Sequence, residues 1–100
     1  MKVIKRNGEE VPFDLSKIVN AVKAANLEVE PIHRLNEYQI QAVADTVEKK
    51  LESLPHITHV EDVQDMVEIG IMEMRGYEVA QKYVRYRYKR ELARKSNTTD

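Results

Sequence analysis

Lys5, Arg6 and Lys17 are the residues of this chain whose types and spacing could do chemistry, and that chemistry is the holding of phosphate. Lys5-Arg6 runs directly into Asn7-Gly8, a strong short signal for a hairpin turn. Lys17 falls in the first turn of the helix expected next, about where that helix's unpartnered N–H groups point. Lysine and arginine beside a helix N-terminus can bind phosphate without a glycine-rich loop. The chain offers no such loop, since its only glycines are Gly8, Gly70 and Gly76. A cation in a first helical turn opposes the helix dipole, at a cost on the order of a few tenths of a kcal/mol that a bound anion removes. Pairing of Lys17 with Asp14 or with a solvent anion explains its place equally well.

Enzyme chemistry finds little to work with. There is no cysteine, which excludes disulfides, thiolate metal sites and cysteine catalysis. The three histidines, His33, His56 and His59, lack the i, i+4 helical spacing of a metal site. His56 and His59 flank Ile57-Thr58 in a loop before a helix, where capping is favoured over ligation. The carboxylates are spread over exposed helical phases, and no acid/base pair or nucleophile motif stands out. No catalytic residue and no protein metal site is expected. A second phosphate-binding candidate closes the chain: Tyr83-Val84-Arg85-Tyr86-Arg87-Tyr88-Lys89-Arg90 interleaves aromatics with bases. The three tyrosines differ in helical phase by up to about 200°, so at least one lies at a surface. Such a helix suits nucleic acid, one mononucleotide or a neighbouring domain.

Composition bounds the setting. One hundred residues, 42% apolar and 33% charged, make one ordinary globular domain with one core. No apolar run nears the roughly 20 residues of a membrane span. The N-terminus becomes charged again too soon for a signal peptide. An intracellular, cytoplasmic setting is expected. Net charge is −1, unevenly placed. Residues 1–27 hold five bases and three acids, residues 28–74 three bases and eleven acids, and residues 75–100 eight bases and three acids. Two basic ends that meet in space would build a local anion site.

The elements that must position these residues follow from periodicity. Val3 to Arg6 and Glu9 to Phe13 read as hairpin strands around a two-residue Asn7-Gly8 turn. That register sets Arg6 opposite Glu9, Lys5 opposite Glu10 and Ile4 opposite Val11. Ile4, Val11 and Phe13 then face the core, and Val3 and Lys5 face away. Asp14 or Ser16 caps a first helix carrying Leu15, Ile18, Val19, Val22 and Ala25. A loop follows at residues 28–31. A second helix runs from about Leu35 or Glu37 to Ser53 with the stripe Ile40, Val43, Ala44, Val47 and Leu51, and Pro55 stops it. Thr58-His59-Val60-Glu61 reads as a capping box for a third helix. This helix shows Val63, Met66, Val67, Gly70, Ile71 and Met74 on one face and ends at Gly76. A fourth helix, from about Tyr77, shows Ala80, Tyr83, Val84, Tyr88 and Leu92. Residues 96–100 are polar and patternless, a linker suggesting a longer protein. The fold expected is α+β and mostly α: an N-terminal β-hairpin capping a bundle of about four helices.

Together these residues resemble a known family, the ATP-cone domains. Val3-Ile4-Lys5-Arg6-Asn7-Gly8, then Val11-Pro12-Phe13-Asp14-Leu15-Ser16-Lys17-Ile18, is similar to the family's opening hairpin and helix start. Residues 58–67 and Ala80, Tyr83, Val84, Tyr86 and Arg87 resemble its later blocks. The likeness covers essentially the whole chain, with residues 1–95 as the cone and 96–100 as a linker to a catalytic domain. ATP-cones occur at the N-terminus of ribonucleotide reductases and in the repressor of their genes. The repressor adds a zinc ribbon of cysteines, which this sequence lacks. The Tyr- and Arg-rich end looks most like the anaerobic, glycyl-radical ribonucleoside-triphosphate reductases.

The resemblance implies an effector site rather than a catalytic one. ATP would permit reductase activity and dATP, in the same cone, would stop it, with Mg²⁺ joining through phosphate oxygens. Lys5, Arg6 and Lys17 would meet phosphates. Val3, Phe13 and Ile18 would line adenine or ribose beside Asp14. Thr58 and His59 would close over the nucleotide, and Lys89 would complete the phosphate site. Val11-Pro12 replaces a polar contact of some members. The implied partners are the nucleotide, the rest of a reductase chain and further copies through the cone, with no membrane. The rival is a helical nucleic-acid-binding domain using residues 85–94, which the net charge of −1 disfavours. A nucleotide-responsive repressor cone and a pure docking domain stand behind it.

Overall fold

Strands β1 (Lys2–Ile4) and β2 (Glu10–Pro12) pair antiparallel with Val3 opposite Val11. This is one residue away from the register expected. The turn holds three residues, Arg6-Asn7-Gly8, closed by Gly8 N–H donating to Lys5 C=O (2.9 Å) and Lys5 N–H donating to Glu9 C=O (2.8 Å). Gly8 has φ +87°, whereas Asn7 is not left-handed, which rules out the two-residue turn with positive φ at both positions. Asn7 instead uses its Oδ1 to accept from Glu9 N–H (3.0 Å). A one-residue slip exchanges the faces of a strand. Val3, expected to face away, is buried in the core, and Ile4 is only partly covered. Val11 and Phe13 do pack on the core.

The computed structural model describes residues 1–96. Asp14 is the N-cap of α1 (Leu15–Leu27): its Oδ1 accepts from Ser16 N–H at 3.0 Å and from the Ser16 hydroxyl at 2.6 Å. Of the two cap candidates Asp14 is the cap, and Ser16, inside the helix, is its hydrogen-bond partner. Ile18, Val22, Ala25 and Asn26 form the buried face. A 3-10 turn, Pro31–His33, follows in the expected loop. Helix α2 (Glu37–Ser53) buries the expected stripe Ile40, Val43, Ala44, Val47 and Leu51. It starts with a capping box made by Asn36 and Gln39, each side chain bonded to the other's backbone N–H at 2.8 Å.

The capping box expected at Thr58 does not form. Thr58–His59 is strand β3, parallel to β1, and His59 is the N-cap of α3 (Val60–Glu73) without a side-chain bond. The sheet order is β2-β1-β3. Backbone pairing with Val3 and Ile4 holds Thr58 and His59 extended, so the hydroxyl is not set for capping. Val63, Val67, Gly70 and Ile71 are buried as expected.

Helix α3 ends on a different residue from the glycine expected. Arg75 takes the left-handed conformation (φ +61°), with Arg75 N–H donating to Met72 C=O (2.8 Å) and Gly76 N–H to Ile71 C=O (3.1 Å). Gly76 serves packing: a Cβ there would lie 3.0 Å from Leu35 Cδ2 and 3.3 Å from Ile71 Cγ2.

Helix α4 (Tyr77–Ser96) takes in Ser96, the first residue of the expected linker; the rest of that linker, residues 97–100, lies outside the described residues. Val79, Ala80 and Tyr83 are buried, but Val84, Tyr88 and Leu92 of the same stripe are exposed at 45%, 60% and 45%, so the tyrosine expected at a surface is Tyr88. The helix is about 30 Å long against about 21 Å for α3, so only its last turns outrun α3. Val84 and Tyr88 lie alongside α3, where Arg87 bonds Asp65 and Glu68, and are exposed by their phase around the helix. Tyr83 and Tyr86 stack with ring centres 6.4 Å apart, and burial pushes the Tyr83 hydroxyl pKa up.

The four helices pack in a ring, α1 on α2, α2 on α3, α3 on α4 and α4 on α1. The fold is thus α+β, mostly α, as expected. Short connections make the run up-and-down, so the sheet shares one end of the bundle with the starts of α1 and α3 and the end of α4. No helix among the described residues is long and apolar enough to cross a membrane.

Candidate functional site

β1 is the central strand, and its place decides what meets at the sheet end of the bundle. Val3 pairs with Thr58 and Ile4 with His59, so the hairpin and the start of α3 form one surface. Val3 and Thr58 are buried and His59 is exposed. From the hairpin tip, Arg6 Nε reaches Glu61 Oε1 in the first turn of α3 at 3.2 Å. Lys5 Nζ lies 4.0 Å from Glu9 on the facing strand. Beyond Arg6 opens a groove of about 290 Å³ lined by Arg6, Glu61, Val84, Arg87, Tyr88 and Glu91. It joins the hairpin tip, the start of α3 and the middle of α4, and Val84 and Tyr88 are the apolar part of its lining. Arg87 is tied down: its Nη1 donates to Asp65 (2.9 Å) and Glu68 (3.0 Å) across the α3–α4 contact.

Phe13, Asp14, Lys17 and Ile18 sit at the far end of β2. The extended run from Glu9 to Asp14 separates them from the tip by about 16 Å of strand. Phe13 is half-buried, and its N–H donates to Met1 C=O (2.8 Å). Ile18 is buried in the core. The first N–H groups of α1 are not vacant: Asp14 Oδ1 takes Ser16 N–H, and Asp14 C=O takes Lys17 N–H (3.2 Å). The Ser16 hydroxyl bond holds the Asp14 carboxyl below its ordinary 3.8, with the Lys17 charge a smaller cause. An anion already occupies that helix end, and Lys17 stands beside it with its ammonium exposed. Lys89 is exposed, but at 100° per residue it lies about 100° around α4 from Tyr88 and about 140° from Val84, off the groove lining.

Arg6, Val3, Thr58 and His59 are therefore brought together, with Lys5 beside them. Lys17 with Phe13, Asp14 and Ile18 forms a second cluster at the other edge of the hairpin. Arg87 and Tyr88, part of the second phosphate-binding candidate, line the groove, and Glu61 and Glu91 join it without having been singled out for a site by sequence. Gln64, on α3 between Glu61 and Glu68, carried no sequence signal; its Oε1 is buried without a hydrogen bond among the described residues. A larger recess of about 480 Å³ lies between the start of β1 and the end of α2, lined mainly by Met1, Leu51, Leu54, Pro55 and Ile57. Thr58 and His56 also line it, and with Lys2 and the Met1 ammonium set against Glu52 in a mainly apolar lining it is poorly suited to a polyanion. Among the described residues no group of three His, Asp or Glu side chains could hold a metal ion.

Comparison with known proteins bears on what this end of the bundle binds. The family model of the ATP cone domain matches residues 1–92. The chain is 33% identical over 97 residues to the anaerobic ribonucleoside-triphosphate reductase of Haemophilus influenzae, covering 96% of this chain and 13% of that protein. It is 31% identical over 109 residues to the ribonucleoside-diphosphate reductase subunit alpha of Chlamydia trachomatis serovar D, covering 95% of this chain and 10% of that protein. The chain thus spans a small fraction of the relatives it matches.

Proposed function

The chain belongs to the ATP cone domain family, and from that premise we propose that it is the nucleotide-binding regulatory domain of a ribonucleotide reductase, with its effector site at the sheet end of the bundle. The observation that carries this reading is the β1–β3 pairing, which joins the Lys5-Arg6 hairpin to Thr58-His59 and opens beside Arg6 a groove into α4. Lys5 and Arg6 take the phosphates. Lys17, about one strand length away, meets the nucleoside end or a lateral phosphate oxygen. Phe13 and the uncovered edges of Val3 and Ile18 line the base or ribose near Asp14. Thr58 and His59 close the site, and Lys89 approaches from the other side of α4. Mg²⁺ enters on the phosphates rather than in a protein cage.

ATP switches the reductase on and dATP switches it off in this reading. The two differ by one hydroxyl, so they must favour two states of the domain differently, by about 1–3 kcal/mol. The output passes through exposed helical faces to the remainder of the chain, reached through residues 97–100, or to further copies of the cone. The reductase is of the anaerobic, glycyl-radical class and works in the cytoplasm. A nucleic-acid reading is weakened by Arg87, whose guanidinium is already committed to Asp65 and Glu68.

Calorimetric titration of the chain with ATP, dATP and GTP, with and without Mg²⁺, tests this. Micromolar, adenine-selective binding that falls at least tenfold in Lys5→Ala and Arg6→Ala is expected. A folded chain that binds none of the three, or ATP and GTP alike, would refute it.

A further inference from the structure

The groove at the hairpin tip contains a contact that phosphate binding has to undo. Arg6 and Glu61 meet at 3.2 Å with side chains 35% and 42% exposed, so water screens the pair and holds it weakly. The other guanidinium of the groove is held differently. Arg87 is 20% exposed and bonded to two carboxylates, Asp65 and Glu68. Glu91 in the same lining lies 3.6 Å from Lys95. Of the two guanidiniums, Arg6 is the one an incoming polyanion can take over, and Glu61 is the group it displaces. Glu61 is not stranded when this happens. It stands with Asp62 in the first turn of α3, where the helix dipole favours a negative charge and water reaches it.

We propose that Glu61 is a built-in competitor of the nucleotide's phosphates for Arg6. Without ligand it clamps the hairpin tip to the start of α3; with a triphosphate bound, Arg6 changes partner and the clamp opens. This rests on the nucleotide reading and deepens it by naming the residue that sets affinity and passes occupancy to α3. Neutralising Glu61 acts twice in one direction. Arg6 no longer has to be released, and the repulsion between Glu61 and the phosphates disappears. The exposed pair accounts for roughly a 1.4- to fivefold effect, and repulsion from several phosphate charges adds to it. The gain therefore grows with the number of phosphates, and the part that comes from releasing Arg6 requires Arg6.

The test is calorimetric titration of the chain, Glu61→Gln, Arg6→Ala and the double variant with ATP and with AMP at low ionic strength, the fold of each being checked by circular dichroism. Glu61→Gln is expected to bind ATP about three- to tenfold tighter and AMP less than twofold tighter. The double variant is expected to gain clearly less over Arg6→Ala than Glu61→Gln gains over the parent, keeping only the part due to lost repulsion. A parent that binds ATP with Glu61→Gln no tighter, an equal gain for AMP, or a gain that is undiminished by loss of Arg6 would overturn the proposal while leaving the nucleotide site standing. Folded parent and Glu61→Gln chains that both ignore both nucleotides would remove the nucleotide reading, and this proposal with it.

Discussion

Replacing Asn26 by alanine should cost more stability than any other single polar truncation in the described chain. Asn26 is 9% exposed, near the end of α1. Its Nδ2 donates to Leu35 C=O (3.0 Å) and its Oδ1 accepts from Leu35 N–H (2.8 Å). One amide thus closes the segment that leads from α1 into α2, much as a neighbouring strand would. Leu35 is itself buried, so water cannot readily replace the lost partner. Two orphaned backbone groups at about 1–3 kcal/mol each give a loss of about 2–6 kcal/mol. The better helix propensity of alanine returns only about 0.5 kcal/mol. Total stability for a domain of this size is about 5–15 kcal/mol, so the midpoint of thermal unfolding should fall by roughly 10–25 °C. Urea unfolding followed by far-ultraviolet circular dichroism measures the loss, with the slope m expected to hold. Asn26→Asp adds a sign test. The introduced carboxyl can donate to Leu35 C=O only when protonated, and burial raises its pKa. Its penalty should be largest at neutral pH and shrink as pH falls below that raised value. A loss under about 1 kcal/mol for Asn26→Ala, or an Asn26→Asp penalty that grows on acidification, would refute the reasoning.

Arg75→Gly should stabilise the chain by about 0.5–1 kcal/mol in the same assay, because release from a left-handed φ outweighs the entropy glycine adds to the unfolded chain. Gly76→Ala should destabilise it by about 1–3 kcal/mol, since the added Cβ meets Leu35 Cδ2 at 3.0 Å. Asp14 has a folded pKa held below 3.8 by the Ser16 bond, so its stabilisation is present above that value and is lost as pH falls through the folded pKa. Asp14→Asn, which keeps the cap without the charge, should flatten the dependence of thermal midpoint on pH below about 4.

What the sequence made legible was the part of the fold governed by helical period. Ile40, Val43, Ala44, Val47 and Leu51 are one face of α2 by spacing alone, and all are buried. Asp14 and Ser16 together start α1 because a short polar side chain can satisfy the first N–H groups locally. The misreadings share a different cause: each was settled by a partner distant in sequence or by a second conformation open to the same residues. Asn7-Gly8 fits both a two-residue and a three-residue turn, and the outcome decides whether Val3 or Ile4 enters the core. Thr58-His59 has the letters of a capping box but lies beside β1, whose free edge takes its backbone first. Val84, Tyr88 and Leu92 keep helical spacing, yet nothing in that spacing says which side of α4 the neighbouring helices cover. For the candidate site, the hairpin cations were visible as residue types. Their counter-ions Glu61, Asp65 and Glu68 were not, because ion pairing across elements leaves no local pattern.

The central claim is that the nucleotide binds at the sheet end of the bundle. Amide chemical-shift mapping of the chain titrated with ATP tests it most directly. The largest changes are expected on residues 3–8, on Thr58 to Glu61 and on Lys17. The opposite end of the bundle, marked by Ile32, Tyr38 and Tyr77, should stay unchanged. Shifts concentrated at that opposite end, or confined to the basic side of α4 around Arg85 and Lys89 with the hairpin silent, would contradict it.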